Sequence, residues 1–216
     1  MKEEAALREQ LAHTLRQMSQ RGLNRGTSGN ASVRCGEGML VTPTGIVPEE
    51  LKPEQMVLIG AGGEAAPGSL RPSSEWRMHF GILAQRTDVR AVVHCHSRYA
   101  TILACAGKSI PSLHYMVAVG GRSIVPLAPY HPFGSEELAK AVTEAMQGGF
   151  ACLMANHGQI AAASSLSRAL AIAEEIEEQA AVYCGTLAIG GPRLLTEEQM
   201  AEVMLRFRDY GQRRDP

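Results

Sequence analysis

Near the start of the chain, Leu7, Leu11, Leu15 and Met18 form an apolar stripe among charged neighbours. This is the spacing of an amphipathic helix over residues 3–21, stopped by Gly22. The period then shortens. Residues 31–34 and 39–42 read as strands, broken by Gly36 and Gly38 and closed by the turn-rich stretch 42–45, which together predict a hairpin. The Gly-, Ala- and Pro-rich stretch 60–72 reads as a surface loop. Helical spacing returns over 73–85, with Trp76, His79, Phe80 and Leu83 on one face and Ser73 or Ser74 as a cap. The run 89–93 is almost unbroken apolar and leads into His94-Cys95-His96, the pattern of a strand buried on both faces, and 99–106 is helical again. A β-prone piece precedes Pro126, and a helix runs from Ser135 to Gly148-Gly149. Residues 150–154 and 159–163 then read as two core strands with Asn156-His157-Gly158 between them. A long helix over 166–187 and a last one opened by the capping box Thr196-x-x-Gln199 complete the pattern. The alternation predicts an α/β fold, a central sheet covered by helices, in one domain over 1–216.

Composition narrows the function. A chain that is 45% hydrophobic and 20% charged is not extensively disordered, and a net charge of -1 provides no basic field for nucleic acid. The charged start MKEEAALREQ is not a secretory leader, and no apolar run approaches the roughly 18 residues of a membrane span. A cytoplasmic protein without membrane or nucleic-acid partners is expected. Cys35, Cys95, Cys105, Cys152 and Cys184 are odd in number and never form a CxxC pair, so they read as reduced thiols.

Histidine carries the first candidate chemistry. Side chains alternate along a strand, so His94 and His96 point to one face as an aligned pair of ligands, with Cys95 turned to the core. His157, at another strand end, supplies a third imidazole, and three imidazoles with an open fourth position make a catalytic zinc site. An isolated His-x-His is more often two ordinary core histidines, so spacing alone leaves both readings open. Glu75, in the first turn of the helix from Ser73, is the nearest acid or base. It also suits a helix N-terminus, where a carboxylate contributes about 0.3–1 kcal/mol. Trp76 beside it predicts a raised carboxyl pKa suited to proton transfer. Gly26-Thr27-Ser28-Gly29-Asn30 offers small residues, hydroxyls and backbone N–H groups as an anion nest, and Thr44-Gly45 and Ser73-Ser74 are two more such corners. Each is a plain turn or cap as often as a binding loop. No Walker lysine or GxGxxG occurs. Lys2, Lys52, Lys108 and Lys140 all lie outside apolar strands, which argues against Schiff-base chemistry.

Together these motifs resemble the class II aldolase and adducin-type family nearly end to end. The likeness is carried by GLNRGTSGN (22–30), MLVTPTGI (39–46), PSSEWRMH (72–79), AVVHCH (91–96), IPSLHYM (110–116), APYHPFG (128–134) and NHG (156–158). It implies a mostly antiparallel sheet flanked by helices in three layers, and Zn2+, or another divalent cation such as Mn2+ or Co2+, on His94, His96, His157 and Glu75. It implies phosphate binding by Thr27, Gly29, Asn30, Thr44, Gly45, Ser73 and Ser74. Glu75 and Tyr115, the latter from a neighbouring subunit of a homotetramer with interfacial active sites, would be catalytic, with Phe133 and Tyr210 closing over the substrate tail. The implied reaction is cleavage of a ketose 1-phosphate, such as L-fuculose, 5-deoxyribulose or 5-methylthioribulose 1-phosphate, to dihydroxyacetone phosphate and an aldehyde. A pentulose-phosphate 4-epimerase or methylthioribulose-1-phosphate dehydratase of the same fold is the alternative, and a non-catalytic adducin-like module a third reading. The stretch SRYAT after His96 and the NHGQ around His157 depart from the pattern, which leaves the aldehyde end open.

Overall fold

A computed structural model of the chain describes residues 2–208. Helix α1 (Lys2–Gln20) precedes strands β1 (Asn30–Cys35), β2 (Gly38–Val41) and β3 (Val57–Ile59). Then come α2 (Trp76–Gln85), β4 (Ala91–Cys95), α3 (Arg98–Cys105), a 3₁₀ segment (Tyr115–Gly120) and β5 (Leu127–Ala128). The order closes with α4 (Glu136–Ala145), β6 (Ala151–Met154), β7 (Gly158–Ala163), α5 (Leu166–Ala188) and α6 (Glu197–Arg208). The strands form one sheet in the order β3-β2-β1-β4-β7-β6-β5. Every neighbouring pair is antiparallel except β5 on β6, which agrees with the α/β, mostly antiparallel and helix-flanked sheet expected.

Alternation along the strands sorts side chains into two cores. In β4, Ala91, Val93 and Cys95 join the core under α1, α3 and α5, while Val92 joins the core under α2 and α4. His94 continues the Val92 side. A slip of one residue would bring Val93 and Cys95 to the histidine face, so burial on both faces pins the register that aims His94. Cys95 faces the apolar side, as alternation predicts. All five cysteines are unpaired, and burial pushes the Cys95 and Cys152 thiols up to about 12.

The structure differs from the sequence reading in four places. Strand β3 has no counterpart in that reading: three apolar residues are too short to show a period, and pairing with β2 (Val41↔Val57) is what makes them a strand. Strand β5 follows Pro126 instead of preceding it, with the Pro126 carbonyl accepting from Leu153 N–H. Helix α2 starts at Trp76, because Ser73 N–H is bonded to the Thr42 carbonyl in an extended segment, and Glu75 occupies the cap position. Helix α4 ends at Ala145, short of the two glycines. The capping box at Thr196 is present in both directions, with Thr196 N–H on Gln199 Oε1 and Gln199 N–H on Thr196 Oγ1. No helix among the described residues is long and apolar enough to cross a membrane.

Candidate metal centre

His94 stands in β4, His96 just after it and His157 just before β7. Asn30 of β1 lies opposite His94 of β4, and Cys95 lies opposite Gln159 of β7. Between β6 and β7 the chain turns through Asn156, held at φ 56°, a left-handed conformation that asparagine tolerates. Gly158 then runs so close to the end of β4 that a Cβ there would meet the Cys95 carbonyl oxygen at 2.5 Å. Only glycine permits that approach, which sets His157 beside His94 and His96. The three ring centroids form a nearly equilateral triangle, 4.9, 4.9 and 5.0 Å apart. Glu75 reaches in from the start of α2, with Oε2 3.1 Å from His94 Nε2 and Oε1 3.0 Å from His157 Nε2. The four ligand atoms all lie within 4.8 Å of one another.

The donor set fits a divalent cation. His94 Nδ1 lies 2.8 Å from the Gln159 carbonyl, which only accepts, so Nδ1 carries the proton and the Nε2 lone pair of the neutral ring faces inward. That lone pair meets His96 Nε2 and Glu75 Oε2 at 3.1 Å each, an arrangement that repels unless a proton or cation lies between. Glu75 Oε1, also buried, faces His157 Nε2 at 3.0 Å. Three imidazole nitrogens and a carboxylate suit zinc-like metals, not magnesium or calcium. Burial alone would raise the Glu75 carboxyl, but the charges and hydrogen bonds of His94 and His157 outweigh it and hold it well below the usual carboxylate range. This corrects the raised pKa expected from Trp76. The Trp76 ring turns to Phe80, edge-on at 5.9 Å, and to the Arg77 guanidinium at 4.8 Å. Burial, then the charges of His94 and His157, lower His96 to about 4. For His94 burial opposes charge, yet the Glu75 carboxylate outweighs it and raises the pKa.

A cavity of about 360 Å³ opens beside this cluster. Its wall brings together the sequence-distant corners Thr27, Gly29, Asn30, Thr44, Ser73 and Ser74. Backbone bonds from Ser73 N–H to Thr42 and from Thr44 N–H to Arg71 hold two of those corners together. Gly29 sits at φ 77°, and a Cβ there would run into the Asn24 amide. Gly45 does not line the cavity, although it turns the same loop at φ 75°. Phe133 is on the wall with Tyr130 and His131. Tyr115 is not: it is half exposed and lines a separate, more apolar groove of about 520 Å³ with Leu195, Val203 and Phe207. Tyr210 lies outside the described residues. Ser97 and Gln159, in the two stretches that depart from the pattern, are fully buried and bonded to each other at 2.8 Å, so they brace the histidine strands and do not face the cavity.

Residues 9–184 match the family model of the class II aldolase and adducin N-terminal domain. The chain belongs to the class II aldolase and adducin family. It is 45% identical to the 5-methylthioribulose-1-phosphate/5-deoxyribulose-1-phosphate aldolase of Rhodospirillum rubrum, over 95% of this chain and 93% of that one. It is 43% identical to the L-fuculose phosphate aldolase of Escherichia coli, over 96% of each. A solved L-fuculose 1-phosphate aldolase superposes with a TM-score of 0.91 at 37% identity, covering 94% of this chain and 96% of the other. The chain is thus an enzyme of the class II aldolase kind, a lyase.

Two supporting residues of this class II aldolase escaped the sequence reading. His79, taken as part of an apolar helix face, is fully buried with both ring nitrogens bonded, Nδ1 to Ser32 Oγ at 2.9 Å and Nε2 to Asn30 Oδ1 at 2.6 Å. Asn30 in turn donates to Glu75 Oε2 at 2.9 Å. Asn24, also buried, accepts from His96 N–H at 3.2 Å while its amide fills the space at Gly29, tying the loop of the nest to the histidine strand. The available signal was a polar residue on the apolar face of α2, facing alternate polar residues, Asn30 and Ser32, of one strand.

Proposed function

We propose that this class II aldolase uses zinc to cleave a ketose 1-phosphate to dihydroxyacetone phosphate and an aldehyde. The observation that carries the reading is one cavity whose wall joins the histidine and Glu75 cluster to the hydroxyl- and glycine-rich corners. The names of the relatives, which act on fuculose, methylthioribulose and deoxyribulose phosphates, support it. His94, His96, His157 and Glu75 would hold the divalent cation, zinc in preference to Mn2+ or Co2+. When bound, the cation supplies the Lewis-acid charge that offsets negative charge growing beside a carbonyl during C–C cleavage.

The chain's own groups do the rest. Thr27, Gly29, Asn30, Thr44, Ser73 and Ser74 grip the phosphate through hydroxyls, an amide and backbone N–H groups, and Gly45 shapes that turn; this fixes which bond is held for cleavage. Tyr115 of a neighbouring subunit takes the C4 hydroxyl proton as the aldehyde leaves. Glu75, which takes up a proton from solvent in each turnover, delivers it to the adjacent carbon of the three-carbon product. Phe133 and Tyr210 cover the tail, so the aldehyde end is bounded by apolar rings. Residues 1–216 act as one domain in a homotetramer with interfacial sites, which suits a half-exposed Tyr115 in an apolar groove away from its own chain's cavity. The unpaired cysteines suit a reducing cytoplasm.

The test is a panel of ketose 1-phosphates differing only beyond C4, scored for dihydroxyacetone phosphate. Release from at least one, abolished by chelation and restored by zinc, is expected. Epimerised or dehydrated product without dihydroxyacetone phosphate would replace the aldolase reaction by the 4-epimerase or the dehydratase.

A further inference from the structure

We propose that His79 is a positioning residue that fixes the orientation of the Asn30 amide, and through it the Glu75 carboxylate, by a one-way hydrogen-bond relay that runs from the buried core to the cavity wall. The proposal rests on the reading of Glu75 as the proton-handling carboxylate and deepens it.

The direction of each bond follows from which atoms can donate. A carboxylate only accepts, so the 2.9 Å contact to Glu75 Oε2 is made by Asn30 Nδ2–H. The other end of that amide, Oδ1, also only accepts and lies 2.6 Å from His79 Nε2, so that ring nitrogen carries the proton. The ring is fully buried, which keeps it neutral and leaves Nδ1 a lone pair, filled by the Ser32 hydroxyl at 2.9 Å. The relay therefore runs from Ser32 to His79, from His79 to Asn30, and from Asn30 to Glu75. Exposure along it is 0%, 0%, 4% and 7%. Turning the amide over would set Oδ1 against Oε2, two acceptors face to face at a buried contact, and would push the carboxylate away from His94 and His157.

The fold places each member for this purpose. Asn30 and Ser32 are alternate residues of β1 and share a face. Glu75 and His79 stand four positions apart, at the cap and in the first turns of α2, and share a side of it. The rest of that buried face is Met78, Ile82 and Leu83. A histidine there costs desolvation without giving apolar contact, and the matched bonds on both ring nitrogens give it a use that a leucine would lack.

Nitrogen-15 NMR of the intact, metal-loaded protein reads the His79 tautomer. The Nε2–H form is expected, and the Nδ1–H form overturns the proposal whatever the activity. The companion measurement compares His79→Gln, which keeps an N–H donor near the Nε2 position, with His79→Leu, which removes it. In His79→Leu, kcat is expected to fall about tenfold or more with metal content unchanged, while His79→Gln retains most of it. The side-chain amide resonances of Asn30, one of three asparagines in the chain, should move in the leucine variant and stay in the glutamine variant. Equal kcat in the two folded variants, or unmoved Asn30 resonances in His79→Leu, overturns the relay. If His79→Leu does not fold, the tautomer and the retained kcat of His79→Gln decide. Should the unmodified enzyme release no dihydroxyacetone phosphate while the tautomer and resonances behave as stated, the reading of Glu75 fails and the relay stands.

Discussion

One part of the candidate site is built on the middle of the sheet, another on a surface loop. His94 and the residues that hold it, Gln159 and Asn30 among them, are at most 4% exposed and lie on paired central strands. Tyr130 and Phe133, on the loop between β5 and α4, are 61% and 72% exposed. The difference separates tasks. A ligand set for a cation tolerates little displacement: strand register, two-sided burial and the bond to the Gln159 carbonyl fix His94, while His96, just past the end of β4, and His157, set beside it by the close approach of Gly158, open onto the cavity. A wall that meets only the variable tail of a substrate needs apolar area and no exact angle, and a loop provides that while leaving the core undisturbed.

Breaking the ligand set should cost most. His96→Ala removes one of the triangle's three rings and should weaken metal binding more than about a hundredfold, with activity lost in parallel; metal analysis after dialysis checks it. Glu75→Gln leaves the three imidazoles, so fold and metal should remain while turnover drops about 10²-fold or more; near-normal turnover would remove Glu75 from proton transfer. Asn30→Leu strips a donor from both the Glu75 carboxylate and the nest, at a cost of about 1–3 kcal/mol, seen as a higher KM for the phosphorylated substrate together with a lower kcat. A rise in KM alone would confine Asn30 to the phosphate.

Acid should act on the buried support of that site. Burial, then the charge of His94, lower His79 from 6.5 to about 3. The unfolded chain therefore takes up this proton while the folded one does not, and the stabilisation present above about pH 6.5 is lost as pH falls toward 3. Thermal midpoints of the chelated protein should decline over that range, less steeply in His79→Gln. The exposed wall should give the smallest effect. Phe133→Ala should shift the preference among ketose 1-phosphate tails by less than about tenfold and change stability by no more than about 0.5 kcal/mol. A large loss of metal or of folding in that variant would erase the contrast between the two parts.

Much of the fold was legible in local pattern. The 3.6-residue stripe of α1, the apolar run of β4 and the capping box of α6 are properties of short stretches, and each predicted element exists. Period two alone aimed His94 and His96 to one side and Cys95 to the other. Elements whose identity depends on a partner were not legible: β3 is a strand because β2 pairs with it, and β5 because β6 does. The corner Ser73-Ser74 read as a helix cap because it precedes helical spacing, yet its backbone is bonded to Thr42 across a bridge between Pro43 and Pro72.

The sequence by itself determined which chemical groups are available and which side of its own element each one takes, because side-chain alternation and helical period act within a few residues. It determined the three imidazoles, the carboxylate at the head of α2 and the small residues of the nest. Only the tertiary structure decided the state of those groups. Trp76 predicted a raised Glu75, but the field at that carboxylate comes from His94 and His157, far off in sequence and about 3 Å away in space, and electrostatic interaction depends on distance through space. The same reason hid His79, whose partners Ser32 and Asn30 reach it only when β1 and α2 are packed together.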